Sequence, residues 1–160
     1  RSVTGRPELL ALKWPNDVLL AGGKVAGILL EGIGQGAQVS HLAIGIGVNL
    51  AEAPPVEELE PHAVHPVSLL GVTGVRIAPE EFLTALARSY AAREAAFVTQ
   101  GFAPIREAWL ARAARLGERI TARTGGTETT GIFETIDAQG ALVLATSEGR
   151  RAIPAAEVFF

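Results

Sequence analysis

The stretch that most restricts the fold reads His41-Leu42-Ala43-Ile44-Gly45-Ile46-Gly47-Val48-Asn49-Leu50. Successive strand side chains point to opposite faces. Leu42, Ile44, Ile46, Val48 and Leu50 therefore share one face, expected to be the core. His41, Ala43, Gly45, Gly47 and Asn49 share the other, which is nearly bare backbone ending in one amide. Glycine weakens a strand interior, so two on one face require a close approach, by a packed helix or by a flat ligand. Asn49 adds a donor and an acceptor at the strand end. That amide can pair with an adenine edge, or it can cap a turn.

The rest of the chain can be organised around this strand. Residues 8–13 read as a strand closed by the bend Trp14-Pro15-Asn16-Asp17, and residues 18–21 lead through a Gly22-Gly23 turn into a returning strand over 25–31. A second glycine-rich turn, 32–36, then leads into the strand over 39–50, and three antiparallel strands are expected in this region. Residues 51–66 hold four prolines and no sustained period, which predicts a long loop that orders over a ligand. A helix is expected from Pro79 to Gly101, with Glu80 and Glu81 in its first turn and Phe82, Leu83, Leu86, Tyr90 and Phe97 on one face. A second is expected over 103–115, closed by Gly117. From Glu118 onward, threonine-rich segments with turns at Gly125-Gly126, 137–140 and Glu148-Gly149 predict four or five short strands in a small barrel. A domain boundary near Gly117 follows.

Composition excludes several functions. Hydrophobic residues make up 48% of the 160 and charged residues 19%, enough apolar material for a packed core. The net charge of −3, with no basic stripe, argues against a nucleic-acid or anionic-membrane surface. No cysteine is present, which removes disulfides and thiolate chemistry and fits a reducing, cytoplasmic setting. The three histidines, His41, His62 and His65, lack ligand spacing, so no metal site is expected. Every apolar run stops short of the about 20 residues a membrane span needs. The chain opens on Arg1-Ser2-Val3 without an initiator methionine, which suggests a piece of a longer protein.

Two short segments carry lysines near turns. Lys13, at the end of a strand, could meet a phosphate or carboxylate, or it could be solvated beside its turn. Gly22-Gly23-Lys24-Val25-Ala26-Gly27 lacks the spacing of a P-loop and reads as a hairpin turn with an exposed lysine, although Gly27 could widen the bare surface.

Taken together, Lys13-Trp14-Pro15-Asn16-Asp17, then Gly23-Lys24-Val25-Ala26-Gly27-Ile28-Leu29-Leu30-Glu31, then Gly45-Ile46-Gly47-Val48-Asn49-Leu50 resemble the three successive signature segments of the biotin–protein ligase family. The C-terminal segment resembles that family's SH3-like domain. The resemblance implies an α+β fold of the class II synthetase-like, biotin/lipoate ligase type, with part of a mixed or antiparallel sheet and packed helices. Residues 1–116 would be the C-terminal portion of the catalytic domain and 117–160 the SH3-like β-barrel. It implies biotin and Mg-ATP as substrates, biotinyl-AMP as intermediate, and transfer of biotin to a lysine of a biotin carboxyl carrier protein, with room for a homodimer.

Carried over to this sequence, the resemblance makes Lys13 the catalytic cation and also a contact to the biotin carboxylate and the α-phosphate. Gly45 and Gly47 would line the biotin pocket, Gly27 would extend it, Asn49 would face adenine, and Asn16 and Asp17 would contribute. No residue of the barrel is expected to touch ligand. The family's glycine- and arginine-rich biotin loop has no counterpart in the chain, so the 160 residues alone are expected to be inactive. A lipoate or octanoate transferase relative and a non-catalytic interaction module are the alternatives.

Overall fold

The computed structural model describes residues 3–35, 38–55 and 64–160. The middle of the expected 51–66 loop, residues 56–63, therefore lies outside the described residues. The described residues form two antiparallel sheets and three α-helices.

The first sheet is a meander of β1 (Leu10–Lys13), β2 (Asp17–Leu20), β3 (Gly23–Gln35) and β4 (Gln38–Val48), hydrogen-bonded in that order. A short 3-10 turn, Pro7–Leu9, leads into β1. The β2–β3 turn is not Gly22-Gly23 but Ala21-Gly22, whose φ angles of 49° and 86° are the positive pair of a type I′ hairpin. Gly23 instead belongs to β3. A Cβ there would sit 2.4 Å from a methyl carbon of Val67, so its small size answers to packing.

One end of this sheet is closed by Leu20, Val25, Ala26 and Leu69, with Val48, Leu50, Val67 and Ile77 packed around them. Leu69 comes from α1 (Leu69–Thr73), a helix that the sequence reading passed over. Its start is held by Ser68, whose Oγ accepts from the Gly71 N–H at 3.1 Å, and it ends at Gly74 with φ 73°. The expected core face of β4 is only half filled. Val48 and Leu50 pack as anticipated, but Leu42, Ile44 and Ile46 are 54%, 40% and 37% exposed, because no described element covers that end of the hairpin.

α2 (Pro79–Gln100) begins with proline in its first turn beside Glu80 and Glu81 and stops at Gly101, as its end signals predict. None of its residues is buried, so the apolar face holding Leu83, Tyr90 and Phe97 is exposed rather than core. α3 (Ala103–Leu110) ends earlier than residue 115. There the backbone is drawn into a bridge with β1: Leu12 N–H donates to the Arg112 carbonyl, and Ala114 N–H donates to the Leu12 carbonyl, both at 2.8 Å.

The second sheet has five strands: β5 (Arg119–Thr124), β6 (Thr127–Ile136), β7 (Leu142–Thr146), β8 (Gly149–Ile153) and β9 (Glu157–Phe159), in the spatial order β8-β7-β6-β5-β9. Its turns fall where the glycines predict. At 137–140, Asp137 Oδ1 accepts from the N–H groups of Gln139 and Ala141, both at 2.9 Å. Ile120, Phe133, Ile136, Leu142, Leu144 and Val158 form its core. One member of that core comes from far upstream: Trp14 is 6% exposed, and its indole N–H donates to the Gly140 carbonyl at 3.1 Å. The bend after β1 is thereby pinned into the C-terminal sheet.

Candidate functional site

A cleft of about 1000 Å³ opens over the bare side of β3 and β4 and is bounded by the β1–β2 bend and the last strand. Its floor is made by two facing backbones. Gly27 lies opposite Gly47, and Leu29 opposite Gly45, in the β3–β4 register. A Cβ on Gly47 would come no nearer than 4.0 Å to the Gly27 carbonyl oxygen, and one on Gly45 no nearer than 3.7 Å to that of Leu29. Packing among the described residues does not require glycine at either position. The open face thus remains available to a ligand.

One wall carries the charge. Lys13 ends β1 and Asp17 begins β2, and the two stand opposite each other in register. Asp17 Oδ2 lies 3.6 Å from Lys13 Nζ, and Asp17 Oδ1 lies 2.6 Å from Lys24 Nζ. The carboxylate is thus shared between two ammonium groups. The bend between β1 and β2 is stitched to β3 by Asn16, whose backbone carbonyl accepts from Ile28 N–H at 2.9 Å and whose amide donates to the Ile28 carbonyl at 2.6 Å. Asn16 therefore braces this wall from beneath, while Lys13 and Asp17 face the cleft.

Lys24 differs from the sequence expectation of a turn lysine exposed to solvent. Strand alternation would put Lys24 and Gly27, three positions apart, on opposite faces. However, the β2–β3 register shifts between Val18 and Leu19, leaving one extra residue in β3. Such a bulge re-phases the strand, and Lys24 falls on the Gly27 side, its Nζ 3.4 Å from where a Gly27 Cβ would be. Its backbone is clamped as well: Lys24 N–H donates to the His65 carbonyl at 2.8 Å, and its own carbonyl accepts from Val67 N–H at 2.9 Å. Of the two lysines, Lys24 has the more accessible side chain, 41% exposed against 10% for Lys13.

Asn49 also lines the cleft, but its amide donates to the Val67 carbonyl at 3.0 Å. Its backbone N–H donates to the Val25 carbonyl, and its carbonyl accepts from Leu69 N–H, fastening the segment before α1 to β3. Of the two roles open to this asparagine in the sequence, the structural tie is the one visible here.

The opposite rim comes from the C-terminal sheet, in which the sequence reading named no ligand contact. Ala156, Glu157, Val158 and Phe159 line the cleft, and the Phe160 ring lies 6.0 Å from Lys13 Nζ and 5.0 Å from the Arg115 guanidinium. The deep burial of Trp14 explains this approach, since it draws β1 against the sheet that carries β9. Arg150 and Arg151 take no part. They pair with Glu134 and Glu148 on the surface. Among the described residues no group of three or more His, Cys, Asp or Glu is placed to hold a metal ion.

The cleft thus combines a glycine-floored sheet, a two-lysine wall and a five-stranded C-terminal sheet at its rim. Comparison with known proteins identifies the family that shares this arrangement. Residues 6–49 match the biotin/lipoate A/B protein ligase family, and residues 116–160 match the biotin protein ligase C-terminal domain. The chain is 63% identical over 156 residues to the biotin–[acetyl-CoA-carboxylase] ligase of Paracoccus denitrificans, and 33% identical over 149 residues to the bifunctional ligase/repressor BirA of Bacillus subtilis. It spans 98% and 92% of its own length in these matches, but only 65% and 45% of those relatives. The biotin protein ligase of Aquifex aeolicus, solved with biotin and ATP, superimposes with a TM-score of 0.77 at 22% identity, over 97% of this chain and 64% of that one. The chain belongs to the biotin protein ligase family.

Proposed function

We propose that this chain carries the substrate cleft of an ATP-dependent biotin–protein ligase, with residues 1–116 forming the catalytic portion and 117–160 a C-terminal domain that completes one rim. The observation that carries this reading is the shared Lys13–Asp17–Lys24 cluster beside a side-chain-free floor at Gly27, Gly45 and Gly47. Biotin is a flat, fused bicycle with a carboxylate at the end of its chain. The glycine floor suits its ring, and the lysine wall suits the carboxylate and a nucleotide α-phosphate.

In the proposed reaction the biotin carboxylate attacks the α-phosphorus of Mg-ATP, pyrophosphate leaves, and biotinyl-AMP forms. An acceptor lysine then attacks the acyl carbon, the acyl–phosphate bond breaks, and AMP departs. Negative charge gathers at the α-phosphate in the first step, and a fixed cation stabilises it without reorganising. Lys24, clamped through both backbone groups and the more accessible, makes that contact. Lys13 acts beside it and, through Asp17, holds the Lys24 ammonium over the floor. Magnesium would arrive with ATP, bound chiefly by the phosphates. The acceptor would be a biotin carboxyl carrier protein. The proposed setting is the cytosol; among the described residues no helix is long and apolar enough to cross a membrane.

The test uses a chimera in which this chain replaces the matching segment of the Paracoccus relative. Biotin-dependent ATP–pyrophosphate exchange should be present and should not be supported by lipoate. Lys24→Ala should slow it roughly a hundredfold, about 3 kcal/mol of transition-state stabilisation. Full exchange with Lys24→Ala and Lys13→Ala alike would reject the reading.

A further inference from the structure

We infer that Glu157, on the strand from the C-terminal sheet, is the group that receives the acceptor lysine at the mouth of the cleft. This inference rests on the proposed ligase reading and assigns a role to a residue outside both of its lysine-bearing segments.

The transfer step presents an electrostatic difficulty. Its nucleophile is a primary amine that reaches the protein as an ammonium, since a lysine titrates near pH 10. It must approach a wall that already holds two ammonium groups, Lys13 and Lys24. Asp17 cannot offset the repulsion for a third cation, because one of its oxygens faces each lysine. Among the described residues lining the cleft, the other acidic side chain is Glu157.

Its setting keeps that carboxylate outward and available. Val158 is 3% exposed in the core of the C-terminal sheet, so strand alternation turns its neighbour Glu157 away from that core. Glu157 is solvent-exposed. The nearest cation in the sheet register is Arg123, directly across on β5, but its guanidinium is engaged with Glu128 at 2.9 Å and lies over the Phe159 ring at 4.5 Å. An exposed anion at the rim of a cationic cleft attracts an incoming ammonium and orients its approach. Held there, the ammonium loses one proton to water, the neutral amine attacks the acyl carbon, AMP leaves with the electron pair of the broken bond, and the second proton passes to water.

The experiment separates activation from transfer in the chimera. Biotinyl-AMP is formed on the enzyme and then discharged either by the biotin-accepting domain of acetyl-CoA carboxylase or by hydroxylamine, which is uncharged at pH 8. Glu157→Gln should leave ATP–pyrophosphate exchange and hydroxylamine discharge unchanged while raising the KM for the acceptor domain about tenfold. Glu157→Lys should raise it further, and added salt should narrow both differences. An unchanged acceptor KM in both variants would overturn the inference, as would an equal loss of exchange, which would place Glu157 in the activation step. Absence of exchange in the parent chimera would instead reject the ligase reading itself, and this inference with it.

Discussion

Removing the Trp14 side chain tests whether the two sheets are one cooperative structure. The indole is 6% exposed and packs with Ile120, Phe133, Leu142, Leu144 and Val158, so Trp14→Ala leaves a large void in the C-terminal core and costs about 3–5 kcal/mol. Trp14→Phe keeps most of the apolar contact but leaves the Gly140 carbonyl without its indole donor, which costs about 1–2 kcal/mol. With a urea m-value on the order of 2 kcal/mol per molar, the alanine variant should melt at a urea concentration about 2 M lower and the phenylalanine variant about 0.5–1 M lower. Urea unfolding of the 160-residue chain followed by circular dichroism gives the shift. Trp109 provides a second signal from the C-terminal core, where it meets Phe133 edge-on at 6.3 Å. Hydrogen exchange at Leu142 and Leu144 locates the loss. If Trp14→Ala stayed within 1 kcal/mol of the parent, or left exchange on β7 unaltered, the claim that the bend after β1 is anchored in the second sheet would be refuted.

Other substitutions probe the cleft itself. Gly47→Val should preserve the melting temperature within a degree or two, since its Cβ has room, yet weaken biotin binding in the chimera measured by calorimetry; a stability loss with intact binding would mean the bare floor serves packing. Gly27→Ala places a methyl 3.3 Å from Lys24 Cε and should reduce ATP–pyrophosphate exchange by displacing that ammonium, whereas Gly131→Ala, 2.7 Å from the Ala145 carbonyl, should destabilise the chain and is read by urea unfolding. Reversing Arg150 and Arg151 to glutamate should leave biotin affinity unchanged, because both arginines pair on the surface, where such contacts are worth at most about 1 kcal/mol.

The parts of this protein that were legible in its sequence are those set by period and turn chemistry. The hairpin of the first sheet, a run of four or five C-terminal strands and the ends of α2 follow from alternation, glycine position and a proline start, all of them local rules, although the first sheet has four strands where three are expected. The bare face of β4 was equally visible, because two glycines and an alanine in register need no partner to be recognised. What escaped depended on events between strands. Lys24 reads as a turn lysine until a bulge opposite Val18 and Leu19 turns it toward Gly27, and no periodicity in one strand announces a slip against its neighbour. The same holds for Trp14, whose destination lies 126 residues downstream at Gly140, and for Glu157, which joins the cleft only because that tryptophan draws the second sheet against the first. Leu42, Ile44 and the face of α2 fail in the opposite sense. Their pattern demands burial, and among the described residues nothing supplies it. An apolar pattern states that a face needs covering, but it does not say which segment provides the cover.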